Sequence, residues 1–400
     1  MENRYDKYKD SGIAWIGEIP EHWKVKRLKN ICSQTNIKEN SKGNPLPYIG
    51  LENIESGSGK YIDTTSEVDG IANRFCKNNV LFGKLRPYLS KVYIAESDGI
   101  CSTEFIVYDT KENDCHFIHK LLLSQSFIDV VNSSTYGAKM PRANSEFINN
   151  IYTQIPPIQE QQHISTYLDQ KCSEIDELIT LQEKMITKLQ SYKQSVITEA
   201  VTKGLDKNVP LKDSGIEWIG EIPEHWKITK IQYLAQLKSG YNLTTEEIKD
   251  SGLYPVYGGN GIRGYYDKYF LEGDYVLIGR QGALCGNINY STGKSWATEH
   301  AVVCYPKTKY ITKWFGELLR VMNLNQYSLA AAQPGLAVER IKLLPIPIIP
   351  LSEQQSIANY LDQKCSEIDE LISIKQQKIE KLKDYKKSLI FECVTGKRKV

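Results

Sequence analysis

The sequence has no run of about 18 apolar residues, the length a membrane-crossing helix needs. Its first ten residues, MENRYDKYKD, lack the apolar core of a secretory signal. The expectation is a cytoplasmic protein. Nine cysteines are scattered without a CxxC pair and without His or Cys at metal-ligand spacing. Neither a disulfide framework nor a zinc site is expected, and Cys172 and Cys365 read as small buried packing residues. Charge of one sign is scarce as well: the net charge is +2. Residues 227–351 nevertheless carry 14 basic against 9 acidic side chains, and 159–203 carry 5 against 7. Basic domains joined by mildly acidic connecting segments fit this distribution, though solvated surfaces fit it equally.

Motifs of catalysis are broken or missing. Residues 259–264 read GNGIRG, formally G-x-G-x-x-G, but the YYDKYFLEGDYV that follows is turn and strand. A dinucleotide site needs a helix there and an acidic residue about 20 positions on. Residues 293–295 read GKS, the tail of a phosphate loop, but position 288 is Ile where the loop needs glycine. There is no NPPY-type motif, no G-x-S-x-G and no convincing nuclease pattern of paired carboxylates with a lysine. His22 and His225 sit in a twice-repeated EIPEHW without a partner at metal spacing, between Pro and Trp, and read as parts of a packing collar. The chain reads as a binder and not as an enzyme.

What the sequence has is repetition. Residues 10–24 read DSGIAWIGEIPEHWK and 213–227 read DSGIEWIGEIPEHWK, differing only at Ala14 and Glu217. Residues 167–179 and 360–372 both read YLDQKCSEIDELI. Weaker matches lie between in the same order. VLFGK at 80–84 answers VLIGR at 276–280, and Thr103 and Glu104 answer Thr298 and Glu299. A helix-like run at 117–131 answers 314–329, and STYGAKMPRAN answers AAAQPGLAVER. IYTQIPPI then answers LLPIPIIP. Two copies of one domain, near-identical at the ends and diverged in the middle, account for this. Each middle mixes short β-rich runs, Gly-rich turns and one helix, an α+β pattern. Prolines 156, 157, 345, 347 and 350 mark edge or connecting strands.

The remaining segments are helical. Apolar positions recur at Leu168, Ile175, Leu178, Ile179, Met185, Ile186, Leu189, Tyr192 and Val196. In the second copy they recur at Leu361, Ile368, Leu371, Ile372, Ile379, Leu382, Tyr385 and Leu389. Steps of three, four and seven form one stripe. Ser352 is the expected N-cap of the second helix, and Gly204 and Gly396 stand at the C-terminal stops. Each helix, at about 37 residues, should form a rod of roughly 55 Å. A lone rod would expose its stripe, so the two are expected to pair. Helix one leaves domain one for domain two and helix two starts at domain two, so the pair should be an antiparallel coiled coil with pseudo-two-fold symmetry.

These residues together resemble the specificity subunit of type I restriction-modification systems. The resemblance covers nearly the whole chain and rests on DSGIxWIGEIPEHW, the IP-rich strand leading to EQQ, and YLDQKCSEIDELI, each present twice. It implies two target-recognition domains separated by two helices that form an antiparallel coiled coil. It implies double-stranded DNA as ligand and two modification subunits as partners, which methylate adenine N6 with S-adenosylmethionine. Two restriction subunits using ATP and Mg can join them. The cofactors belong to those partners, and none is expected on this chain. The expected organisation is a first recognition domain over 1–158, a central helix over 159–205, a second recognition domain over 206–351 and a C-terminal helix over 352–400. Each domain should read one half of an asymmetric bipartite target, with the helices as a ruler and a docking surface. Alternatives are the specificity subunit of a fused nuclease-methylase and a purely protein-binding scaffold.

For base reading, forked and planar donors on loops are the candidates: Arg and Lys suit guanine, Asn and Gln suit adenine. In the first domain these are Lys84, Arg86, Tyr88, Lys91, Lys139 and Arg142. In the second they are Asn260, Arg263, Tyr265, Arg280, Gln281, Lys294 and Gln333. Lys84 and Arg280 match across the repeat, each following a Val-Leu strand and a glycine. Any of them could instead hold a phosphate, which positions the protein without specifying sequence.

Overall fold

The computed structural model describes residues 4–64, 69–137, 139–282, 284–328 and 335–400. The chain forms two compact units, one from Met1–Gln182 with Gln377–Val400 and the other from Glu183–Gln376. None of the described helices is long and apolar enough to cross a membrane.

Each unit contains the same four-stranded antiparallel sheet. Its order is Ser33–Thr35, Phe105–Asp109, Val80–Gly83, Val92–Ile94 in the first unit. In the second it is Ala235–Ser239, Ala301–Pro306, Tyr275–Gly279, Ile288–Ser291. The inner strands are unbroken apolar runs because both their faces are covered. Phe105 lies opposite Gly83, and Ala301 opposite Gly279. The repeat therefore runs at an offset of 301 − 105 = 196 here, which matches Glu104 with His300. The sequence pairing of Glu104 with Glu299 is one residue out, because only strand register fixes the alignment across diverged loops.

A second sheet differs between units. Gly99–Ser102 pairs antiparallel with Ile71–Phe75 and parallel with Tyr48–Ile49. Lys294–Ala297 likewise pairs antiparallel with Leu271–Glu272 and parallel with Tyr254–Gly258. The fourth strand is added on opposite edges: Lys38–Asn40 beside Ile71–Phe75, but Gly261–Tyr266 beside Tyr254–Gly258. The common three strands carry the fold, and the added strand is where the copies diverge.

One helix packs on the first sheet of each unit, Cys115–Leu123 and Thr312–Val321. Phe117, Ile118, Leu121 and Leu122 fill one core; Trp314, Phe315, Leu318 and Leu319 fill the other at an offset of 314 − 117 = 197. The same offset matches His119 with Gly316. The buried His119 donates Nε2–H to Val92 O at 3.0 Å. At Gly316 a Cβ would stand 2.3 Å from the Tyr290 ring. A large residue on the helix is exchanged for a large residue on the strand. The single helix expected over 117–131 is two, because Ser124 is extended and its hydroxyl bonds back to Leu121 O at 2.6 Å.

The two long helices span Ile158–Lys203, 46 residues, and Leu351–Val394, 44 residues. At about 1.5 Å per residue they are about 69 and 66 Å long, longer than the sequence estimate. The second starts one residue before Ser352, so Ser352 lies in the first turn and is not the N-cap. Leu168, Cys172 and Ile175 are buried with Leu389, Ile390, Cys393 and Val394 in the first unit. Asp176 pairs with Lys386 there at 2.6 Å. In the second unit Val196, Ala200 and Val201 are buried with Ile357, Leu361 and Cys365, and Lys193 pairs with Asp369 at 2.6 Å. In both, residue numbers rise on one helix as they fall on the other: the coiled coil is antiparallel. Ile368 is buried, and Leu189 and Leu382 are half-buried on the same seam. Leu178, Met185 and Leu371, however, are 44%, 36% and 46% exposed, and Tyr192 and Tyr385 are exposed too. The seam advances by threes and fours through Ile175, Ile179 and Gln182. Leu178 and Leu371 stand one residue before Ile179 and Ile372, about 100° round the helix.

The duplicated EIPEHW binds both helices. Trp23, fully buried, donates its indole N–H to Glu160, third residue of the first long helix, at 2.9 Å; His22 Nε2 lies 2.5 Å from the same carboxylate. Trp226 and His225 meet Glu353, third residue of the second long helix, at 2.9 Å each. A carboxylate here also suits the positive end of the helix dipole. The stop glycines close the other side. Gly396 (φ +73°) lies so close to Pro20 that a Cβ would be 2.4 Å away, and a Cβ on Gly204 (φ +76°) would be 3.2 Å from Trp226. Each collar thus holds the start of one helix and the end of the other.

Candidate nucleic-acid interface

In the first unit the chain leaves strand Val80–Gly83 into a loop fixed by backbone hydrogen bonds. Lys84 N–H donates to Glu104 O at 3.0 Å, Ala143 N–H donates to Lys84 O at 2.9 Å, and Arg86 N–H donates to Pro141 O at 2.7 Å. In the second unit Arg280 N–H donates to His300 O at 2.8 Å, and Leu336 N–H donates to Arg280 O at 2.9 Å. The residue after Val-Leu-x-Gly is therefore clamped the same way twice, between the turn before one strand and the small-residue loop. That frame is shared, and the side chains on it are not.

On the first frame Arg86 (φ +49°) and Ser90 (φ +50°) are left-handed and flank the turn Pro87–Leu89, which holds Tyr88 51% exposed. Non-glycine residues in this region carry strain, which the neighbouring loop's hydrogen bonds sustain. Arg86 and Lys139 are exposed and Lys84 is half-exposed. Arg142 forms a forked pair with Glu104, Nε to Oε2 at 3.2 Å and Nη2 to Oε1 at 3.0 Å. Lys91 faces inward, its Nζ donating to Leu51 O at 2.6 Å. The structure thus gathers Lys84, Arg86, Tyr88 and Arg142 and turns the Lys91 ammonium onto its own domain.

On the second frame Arg280 Nη1 donates to Ser239 Oγ at 3.1 Å, and Gln281 is exposed and bridged to Gly335. The hairpin turn at 258–261 comes against it: a Cβ on Gly279 would lie 2.1 Å from Gly259 O, so only glycine permits this approach. The turn presents Asn260, whose Oδ1 accepts from Asn287 Nδ2 at 2.7 Å. Asn260, Arg280 and Gln281 are thereby brought together. Arg263 is exposed on strand Gly261–Tyr266, with its stem against Gly258. Tyr265 exchanges backbone hydrogen bonds with Lys249. Lys294 lies at the opposite end of its strand from His300, its Nζ 4.6 Å from the centre of the Tyr269 ring. Gln333 lies outside the described residues. The G-x-G-x-x-G at 259–264 is a hairpin between two strands.

Glu104, Ser239 and His300 join the site through their contacts with Arg142, Arg280 and the Arg280 backbone, beyond the residues that the sequence points to. Glu104 did carry a signal, as part of the repeated Thr-Glu, but its partner Arg142 is 38 residues away in sequence.

A lysine-rich recess lies between loop, sheet helix and coiled coil in the first unit. It encloses about 330 Å³ and is lined by Gly57, Ser58, Asp176, Lys383, Lys386 and Lys387 among others. Burial pushes the Asp176 carboxyl up, but hydrogen bonds from Lys386 and Lys60 outweigh it and hold it below its ordinary value. The pair with Lys60, at 3.0 Å, ties the loop to the helix.

The family model for the type I restriction modification DNA specificity domain matches residues 20–190 and again 223–384. The MjaVIII type I restriction enzyme specificity subunit of Methanocaldococcus jannaschii is 24% identical over 96% of this chain and 94% of its own length. The EcoprrI specificity subunit of Escherichia coli is 40% identical, over a match spanning 32% of this chain and 33% of that relative. Among solved structures, a chain from work on complex assembly and conformational transition of the type I R-M system superposes with a TM-score of 0.78 at 18% identity, covering 94% of this chain and 98% of that one. The HsdS subunit from Thermoanaerobacter tengcongensis superposes with a TM-score of 0.56 at 18% identity over the same shares. With two matched domains covering most of its length, the chain belongs to the family of type I restriction-modification specificity subunits.

Proposed function

We propose that each unit reads one half of an asymmetric bipartite DNA target and that the long helices set the spacing between the halves. The observation that carries this is the repeated loop frame. Lys84 and Arg280 are held by equivalent backbone hydrogen bonds, while the side chains around them differ: Arg86, Tyr88 and Arg142 on one, Asn260 and Gln281 on the other. A constant frame with variable donors suits two readers with different targets. The helices also offer docking surface. Leu178 and Leu371 occupy identical positions in YLDQKCSEIDELI and are both about half exposed, as one modification subunit bound twice would require. Adenine N6 methylation from S-adenosylmethionine belongs to those subunits, and this chain supplies recognition. The test is methylome sequencing of a host with and without the chain. One bipartite adenine motif should disappear with it; a methylome that does not change rejects the reading.

A further inference from the structure

Arg142 differs from the other described candidate readers in how it is held. Its Nε and Nη2 are taken by the two oxygens of Glu104. A guanidinium has five N–H donors in one plane, and a carboxylate forked onto the Nε–Nη2 side leaves the far edge intact. That edge presents two parallel N–H groups, one from Nη1 and one from Nη2. The side chain is 41% exposed, and no hydrogen bond from Nη1 to another described residue occupies that edge. Its backbone is fixed as well, exchanging hydrogen bonds with Tyr136 in both directions at 3.0 and 3.1 Å.

The pairing selects among ligands. Glu104 cancels the charge of Arg142 and would repel a phosphate oxyanion brought to the same place. It leaves a directional double donor with little net charge, suited to uncharged acceptors. In the major groove only guanine offers two adjacent acceptors, O6 and N7; adenine pairs N7 with a donor, thymine has one acceptor beside a methyl group, and cytosine presents a donor. Arg280 contrasts with it: among the described residues its side chain donates to the neutral hydroxyl of Ser239 and meets no carboxylate.

We propose that Arg142, positioned by Glu104, reads a guanine in the half-site of the first unit. This rests on the chain being a DNA-reading subunit. The experiment uses the complex with its modification subunits and duplexes carrying the methylated target, each guanine replaced in turn by 7-deazaguanine, which lacks the N7 acceptor. In the unaltered complex one such replacement should weaken binding by on the order of tenfold to a hundredfold. Arg142→Ala should lose a similar factor on the natural duplex and become indifferent to that same replacement, and Arg142→Lys, which cannot fork onto Glu104, should restore only part of the loss, while discrimination at the other half-site persists. Glu104→Ala should lower discrimination at that guanine and raise affinity for unrelated DNA, a sign that mere misfolding would not produce. Tolerance of 7-deazaguanine at every position, or discrimination surviving Arg142→Ala, overturns the assignment and leaves DNA reading intact. So does a uniform loss across all sequences. A complex with no sequence preference at all overturns the broader reading as well.

Discussion

Trp23 donates its indole N–H to Glu160 at 2.9 Å, and Trp226 donates to Glu353 at the same distance. Each glutamate belongs to a long helix and each tryptophan to a domain, so a single carboxylate anchors each helix to its collar. Replacing Glu160 by Ala should cost the first unit about 2 kcal/mol, and Gln, which keeps an acceptor, about 1 kcal/mol. Glu353 should behave alike in the second unit. Denaturant unfolding resolved by hydrogen exchange in each unit measures this, and a change under about 0.5 kcal/mol for Glu160→Ala would refute the anchor.

Gly316→Ala should destabilise the second unit by about 1–3 kcal/mol, since the added carbon meets the Tyr290 ring at 2.3 Å. The ring cannot retreat easily, because its hydroxyl donates to Glu317 Oε1 at 3.0 Å. Thermal unfolding of the single variant, and of Gly316→Ala combined with Tyr290→Ile to imitate the first unit's Ile94, checks the exchange. The double variant should recover part of the loss.

His119 gives the first unit a pH dependence. Burial, reinforced by the Lys120 charge, depresses its folded pKa from 6.5 to about 3. Between these values the unfolded chain binds a proton that the folded chain does not. Stability from this residue is therefore complete above about pH 6.5 and is lost as pH falls toward 3, by at most about 1.4 kcal/mol per pH unit. Unfolding free energies from pH 7.5 to 5 should fall less steeply in His119→Leu than in the unaltered chain. Equal slopes would exclude His119 as the cause.

On the coiled coil, Ile175→Ala should cost about 2–5 kcal/mol, because the side chain is 5% exposed in the first core. Leu178→Ala, three residues on and 44% exposed, should change stability by less than about 1 kcal/mol. Chemical denaturation of the pair separates seam from surface. A large loss at Leu178 would contradict the narrow seam.

Inserting or deleting one helical turn within residues 182–193 should alter the number of unspecified base pairs between the half-sites and leave both half-sites as they are. Methylome sequencing reads the outcome directly. A spacer that does not change removes the ruler from the proposal.

Much of this architecture was legible because the chain repeats itself. The order of the repeats gave two domains and two helices, and connectivity gave the antiparallel direction. Apolar spacing located the stripe but counted Leu178, Met185 and Leu371 into it. Hydrophobicity alone does not give rotational phase, and neighbours one residue apart on a helix face different ways. The forked pair of Glu104 with Arg142 could not be read at all. It exists because Phe105 registers against Gly83 and the loop at 141–143 is drawn onto Lys84 and Arg86, long-range facts that no local pattern encodes. Glu160 and Glu353 were visible only as polar residues at a helix start. Their partners lie 137 and 127 residues earlier in the chain.

The second long helix begins at Leu351, yet Leu389, Cys393 and Val394 near its end complete the core of the first unit, and the Val394 carbonyl accepts from the buried Gln154. On a ribosome the first domain therefore waits, unfinished, while the whole of the second is made. Over that time its core stays open, and the apolar surface so exposed favours aggregation. A nonsense codon or frameshift after residue 376 would for the same reason injure the domain at the other end of the gene: the second unit would be left nearly entire, and the first would lose the wall that closes it.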